Sequence, residues 1–320
     1  MSQRVIRVER RVITSRETWL SWRRGDVTAS TIAALFGLHP FETIFGIFAQ
    51  KSGAALPDVE DNVALQRGRD LEQSVAGMVQ RAHPTWKIRK ANVYLRDSEH
   101  RLGATPDYFI RTADGYRGVL QCKTVNPYVF KREWTETDAP AWIVLQTLTE
   151  AMLARASFAM IAALEVDGWH FRLHEYQVPR HAAAELRLLD AVASFWADFA
   201  AGKLPQPDYR RDGALIAAMN PNTTPGKSID LRTDNAMPGL LEERAALKAQ
   251  IDAAMARKDE IETEIKAKIG DSEVAIVRGW NVTLKEIHRK EHVVRATSFR
   301  QLRAVRQEDE SSTRADAAAE

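Results

Sequence analysis

Two rhythms of apolar positions run along this chain. Leu71, Val75, Met78 and Val79 recur at i, i+4, i+7 and i+8, the period of an amphipathic helix, and predict one over 62–83. Shorter helices are predicted over 15–24, 28–36 and 43–51, the second broken by Gly37 and Pro40 and the third ending at Gly53. Thr28 or Ser30 stands where it would cap the 28–36 helix and leave backbone N–H groups for an anion. Beyond residue 86 the pattern changes to strands, over 86–96, 106–112 and 116–123, followed by a helix near 141–155. Strands over 158–166 and 169–177 flank Asp167-Gly168, a hairpin turn signal. A helix over 181–201 carries Leu186, Leu189, Val192, Phe195, Trp196 and Phe199. Helices before and after a mixed sheet make an α/β core.

That core is expected over 1–201. Over 202–239 the pattern dissolves among Pro205, Pro207, Pro221, Pro225 and Pro238, which marks an irregular connector. A C-terminal extension over 240–307 begins with a long charged helix, its apolar stripe formed by Leu240, Leu247, Ile251, Ala254, Ile261 and Ile265. That stripe suits either a coiled-coil partner or docking on its own chain. Residues 279–284 suggest a small β element, and the polar, Ala-rich 308–320 segment reads as a disordered tail.

Composition narrows the class. The 320 residues are 45% hydrophobic and 28% charged, with no run long enough to span a membrane and no signal-peptide core at the start. The single cysteine, Cys122, excludes an internal disulfide, fits a reducing compartment and makes the cytoplasm of a bacterial host the expected location. Cys122 should face away from its strand neighbours into the sheet, a structural thiol. A zinc site is not expected. The net charge of +2 says little, but residues 1–24 hold seven arginines (4, 7, 10, 11, 16, 23 and 24) against Glu9 and Glu17. Arg forks well onto phosphate, although a basic arm of a dozen residues reads equally well as a solvated one.

Candidate chemistry gathers in four places. Gly68-Arg69-Asp70-Leu71-Glu72 lies on a helix, Thr105-Pro106-Asp107 on a strand, Gln121-Cys122-Lys123 on the next, and Gln146 with Glu150 on the helix that follows. Each piece alone is common. In this order they make a metal-dependent nuclease site: Asp107 holds a hard cation, a second acid completes the cage, and Lys123 orients or activates water. Trp134 and Trp142 flank the 138–140 loop. Stacking on bases is open to them, with packing favoured for Trp142.

These motifs, with Arg23 to Ser30 and Gly103 to Asp107, resemble the YqaJ-type viral recombinases, nucleases related to lambda exonuclease in the PD-(D/E)XK superfamily. The likeness runs from about Trp22 to His174. It implies a restriction-endonuclease-like PD-(D/E)XK core with a C-terminal helix plus small β extension. The implied activity is Mg²⁺-dependent (Mn²⁺ as substitute) 5′→3′ digestion of linear duplex DNA, leaving 3′ overhangs for a single-strand annealing protein, in a phage or prophage recombination system. The resemblance further implies Asp107 and Glu72 as metal carboxylates, Lys123 as the water-positioning lysine and Gln146 as a supporting group. Arg24, Ser30 and Thr105 match a segment that grips the terminal 5′-phosphate, with Arg23 as the alternative register. A ring trimer is the family's assembly.

The departure is Gln121, where the family has Glu. Three readings stand. The acid has moved to Glu150, one turn beyond Gln146 on the same face. Or Gln121 serves as a neutral ligand beside Asp107 and Glu72. Or the site no longer cuts, and the protein is a DNA-end-binding recombination accessory. A related endonuclease or repair nuclease is the nearest enzymatic alternative. In the extension, Lys285, His288, Arg289 and Lys290 either contact DNA or brace the nuclease domain.

Overall fold

A computed structural model describes residues 6–53, 63–288 and 300–304. The chain divides into two compact units, Met1–Asn220 and Pro221–Glu320. In the first, β1 (Val8–Val12), α1 (Arg16–Arg24), β2 (Val27–Thr28), α2 (Ile44–Lys51) and α3 (Val63–Ala82) lead into β3 (Lys87–Lys90), β4 (Val93–Asp97), β5 (Leu102–Ala104) and β6 (Tyr108–Arg111). There follow β7 (Arg117–Val125), α4 (Pro127–Glu133), α5 (Ala141–Ala154), β8 (Phe158–Asp167), β9 (His170–Pro179), α6 (Ala182–Ala200) and α7 (Gly213–Met219).

A five-stranded sheet in the order β3-β6-β7-β8-β9 is the scaffold. Its β7–β8 pair is parallel and the rest antiparallel, because the β7-to-β8 connection crosses over through α4 and α5. One face carries Leu120, Cys122, Met160, Ala162 and Leu164 against Val75 and Val79 of α3. The other carries Val119, Ala159, Ile161 and Ala163 against Ile143, Leu148 and Met152 of α5, continuing to Leu188, Val192 and Phe195 of α6. A smaller sheet, β1-β4-β5-β2, extends that second core.

Local chemistry explains most boundaries. Ser15 and Thr43 cap α1 and α2 by accepting from the N–H of Thr18 and Gly46. Asn126 caps α4, with Pro127 in its first turn. The predicted 86–96 strand is two strands in different sheets, split where Asn92 takes φ 45° and Ala91 N–H bonds the Asp107 carbonyl. The predicted 28–36 helix is also corrected. Val27 and Thr28 pair with β5, and only a 3-10 turn over 32–36 remains. Thr28 and Ser30 cap nothing there; their hydroxyls bond each other. Arg10 and its neighbours lie in β1, which pairs with β4, while Arg4 lies outside the described residues.

One buried acid pins the α1–β2 junction. Asp26 accepts from Tyr94 Oη (3.0 Å) and from Arg96 Nε (2.8 Å to Oδ2). Tyr94 reaches it by crossing Gly103, where an added Cβ would overlap the ring. Gly103→Ala should therefore cost about 2–4 kcal/mol, by overpacking and by freeing a buried carboxylate. Urea denaturation monitored by circular dichroism checks this.

The second unit contains α8 (Met237–Ile269) and the hairpin of β10 (Val274–Val277) and β11 (Trp280–Thr283). None of the α8 residues is buried; Leu240, Leu247 and Ile251 are each at least half exposed. Arg289, Lys290 and the 308–320 tail lie outside the described residues.

Candidate active site

Register brings the strand residues together. Tyr108 pairs with Leu120 across β6 and β7, so the next step sets Asp107 opposite Gln121. Asp107 Oδ2 accepts from Gln121 Nε2 (2.7 Å) and from the backbone N–H of Cys122 (2.8 Å). Gln121 Oε1 accepts from Gln146 Nε2 (3.0 Å), which also donates to Glu150 Oε1 (2.9 Å). Lys123 Nζ donates to Gln146 Oε1 (3.3 Å). Two amides thus tie the Asp107 and Glu150 carboxyls into one chain, with the lysine attached at its middle.

Both acids resist ionisation. Burial, then the nearby Glu72 charge, pushes Asp107 up to about 6, with Lys123 and the Cys122 N–H pulling the other way. Glu150 is pushed well above the ordinary carboxylate range by burial and then by Asp107, against the Gln146 hydrogen bond and Lys123. Its Oε2 is buried, with no hydrogen-bond partner among the described residues.

Glu72 approaches from α3. It lines the same cleft, about 280 Å³, with Asp107, Gln121 and Lys123. Its carboxylate is held by Lys90, which also lies 4.9 Å from the Tyr108 ring. Cys122 is buried in the α3-side core, where burial raises its thiol further above its usual value. Its position is that of a structural residue.

A second cluster adjoins this one. Arg23 Nη2 donates to Ser30 Oγ (2.9 Å), its guanidinium lies 4.5 Å from the Trp19 ring centre, and Trp19 Nε1 donates to Thr105 Oγ1 (2.9 Å). Arg24, on the other side of α1, is exposed, so the residue joined to Ser30 and Thr105 is Arg23. Lys51 Nζ donates to the Arg23 carbonyl (2.7 Å), and burial followed by the Arg23 charge lowers it to about 8. Burial raises Glu42, which the charges of Lys51, Arg211 and Arg23 offset.

His39 bridges the clusters. Its ring packs 5.3 Å from that of Trp142, and Lys123 Nζ lies 5.4 Å from the same indole. Trp142 is thus half-buried beside the lysine, whereas Trp134 is buried against Phe130 and Tyr176 and offers no face to a base. Trp19, His39, Glu42 and Lys51, drawn from α1, the loop before α2 and the end of α2, come together only in the folded chain.

The described residues contain no ready group of three His, Cys, Asp or Glu side chains at metal-binding spacing. His170 and His174 are four apart, but on β9 that separation is about 13 Å, not one helical turn.

A mixed sheet with Asp107 at the start of one strand, Lys123 near the end of the next and carboxylates on the flanking helices is the restriction-endonuclease-like PD-(D/E)XK architecture. Residues 18–156 match the YqaJ-like viral recombinase domain. It is 24% identical over 281 residues to the uncharacterized protein YqaJ of Bacillus subtilis (strain 168), covering 85% of this chain and 84% of that one. The alkaline exonuclease LHK-Exo from Laribacter hongkongensis is 18% identical, over 63% of this chain and all of that chain, with a TM-score of 0.47. LHK-Exo in complex with dAMP is 17% identical, over 62% and 98%, with a TM-score of 0.49. No helix among the described residues is long and apolar enough to cross a membrane.

Proposed function

We propose that this protein is a divalent-metal-dependent exonuclease that digests linear duplex DNA from phosphorylated 5′ ends, with Glu150 supplying the acid that Gln121 lacks. The observation that carries this reading is the buried Asp107–Gln121–Gln146–Glu150 chain with Lys123 attached. Two carboxyls, one at the start of β6 and one on α5, both with raised pKa and one with an orphaned oxygen, suit an all-oxygen site for a hard cation. Mg²⁺ or Mn²⁺ would be held by Asp107, Glu150 and the amide oxygen of Gln121, with Glu72 at the rim. The ion would supply Lewis-acid polarisation of a phosphoryl oxygen and a more acidic water.

The chain's own groups do the rest. Lys123, fixed by Gln146 and braced by Trp142, orients the attacking water and offsets charge developing on the phosphate. Gln146 holds the Gln121 and Glu150 side chains in one geometry. Arg23, with Ser30 and Thr105, receives the terminal 5′-phosphate; burial draws its guanidinium below its usual pKa, so an anion there relieves an unfavourable charge. The 3′ strand left behind would be the substrate of a single-strand annealing protein. A ring assembly is part of the same family reading.

The test is digestion of linear duplex carrying 5′-phosphate or 5′-hydroxyl ends, with Mg²⁺, Mn²⁺ or chelator. Loss of one strand only with metal, faster from phosphorylated ends, is the expected result. Because Asp107 must ionise to hold the cation, the rate should climb as pH rises through about 6. Binding without cleavage in either metal would leave a DNA-end-binding protein instead.

A further inference from the structure

A concave patch of about 380 Å³ lies at the end of the large sheet away from Asp107, and its lining includes Arg10, Lys87, Arg89, Phe109, Arg111 and Arg117. Register explains the density of charge. Lys87 pairs with Arg111, and Arg111 with Arg117, so three cations form one cross-strand row on β3, β6 and β7. Arg89 lies opposite Phe109 in the next like-facing row, and Arg10 reaches across from the smaller sheet to within 4.9 Å of the Phe109 ring. Like charges directly opposite one another destabilise a sheet. All five cations are exposed, and among the described residues none is in an ion pair.

Edge protection accounts for only part of this. Basic residues on an edge strand discourage pairing with other chains, which suits Lys87 and Arg89 on β3. Arg111 and Arg117 stand on inner strands, and Arg10 comes from a different sheet. Their convergence on a concave surface calls for an anion with several charges.

We infer that this groove is a second phosphate site, holding the DNA backbone outside the catalytic cleft. The assignment rests on the nuclease reading for its choice of polyanion. Four residue steps separate Asp107 from Arg111 at the far end of β6, about 13 Å along the sheet. Phe109 and Val119 pack in the core between the two ends, so a strand passes around the sheet's edge and not across its face. The edge itself is basic: β3 reads Lys87-Ile88-Arg89-Lys90, and Lys90 already stands at the cleft with Glu72. The groove thus lies along a basic edge that ends beside the cleft, and its task is grip on the polymer, not chemistry.

The experiment is DNA affinity as a function of salt, measured by anisotropy of a labelled linear duplex in chelator. It compares wild type, the triple variant Arg89→Gln/Arg111→Gln/Arg117→Gln, and the same three positions changed to Lys. Each phosphate contact contributes about 0.9 to the slope of log affinity against log salt. The Gln variant should lose about 2–3 from that slope and bind about tenfold or more weakly at moderate salt, while the Lys variant keeps the slope. Should the triple variant not fold, Arg111→Gln and Arg117→Gln singly should each lose about 1. An unchanged slope in a folded Gln variant would overturn the assignment. So would polyglutamate competing as well as DNA of equal charge, which would give the groove to an acidic protein. The readout needs no cleavage, so its result is separate from that of the digestion experiment.

Discussion

Glu150→Gln should lower the rate of metal-dependent DNA cleavage about 100-fold or more and, at the same time, raise the melting temperature of the metal-free protein. The two effects share one cause. Glu150 is buried, its Oε2 has no partner, and Asp107 stands close enough to disfavour a second charge. Without a cation the folded protein must keep this carboxyl protonated, whereas in the unfolded chain it ionises as an ordinary glutamate. Stability contributed by that proton is fully present at low pH and is lost as pH rises above the ordinary glutamate range. Gln carries no charge at any pH. Its advantage should therefore be absent near pH 4 and grow towards pH 8, reaching about 1–3 kcal/mol, or roughly 2–4 °C per kcal/mol for a unit of this size. Cleavage moves the opposite way because the amide donates no charge to a cation. Thermal melts in chelator at several pH values, beside single-turnover cleavage, read both halves. A variant that cuts like wild type would sink the moved-acid account and favour Gln121 as a sufficient neutral ligand.

Lys123→Ala and Asp107→Asn should each abolish cleavage, by about 10³-fold or more, while leaving the far-ultraviolet circular dichroism unchanged. Asn is the better probe at 107. Oδ2 accepts from the Cys122 N–H in β7, and Asp107→Ala would strand that donor at a cost of about 1–3 kcal/mol, confusing a folding defect with a catalytic one. Among the described residues the Lys123 side chain makes only the long bond to Gln146 and the contact with Trp142, so its loss leaves the core intact. The defect should fall on kcat, because the substrate is held by groups other than this lysine. A change confined to KM would recast Lys123 as a binding residue.

Much of this could be read before any coordinates, and the failures have physical reasons. Helical periodicity finds α3, and the expected starts of α1 and α2 at 15 and 43 fall on Ser15 and Thr43, whose side chains cap those helices. Glu150 was legible as the residue one turn beyond Gln146, a relation that survives whatever the helix packs against. Strand 86–96 was misread as continuous because Asn92 adopts a left-handed conformation that no apolar pattern signals. The segment after Val27 pairs with β5 instead of forming a full helix, so long-range pairing overrode local propensity there. Helix α4 was passed over although Asn126-Pro127 is a helix-start signal in its own right. Which of Arg23 and Arg24 bonds Ser30 depends on the face of α1 that meets it, and in the fold that face carries Arg23. Adjacent arginines cannot reveal it.

In the proposed mechanism Glu150 and Asp107 jointly make the cation site. Calorimetric titration of Mn²⁺ into wild type, Glu150→Gln and Asp107→Asn at pH 8 tests it most directly. Binding is expected in the wild type, accompanied by release of the Glu150 proton, since Asp107, at about 6, is already ionised at this pH, and affinity should fall about tenfold or more in either variant. Wild-type affinity and unchanged proton release in Glu150→Gln would contradict it.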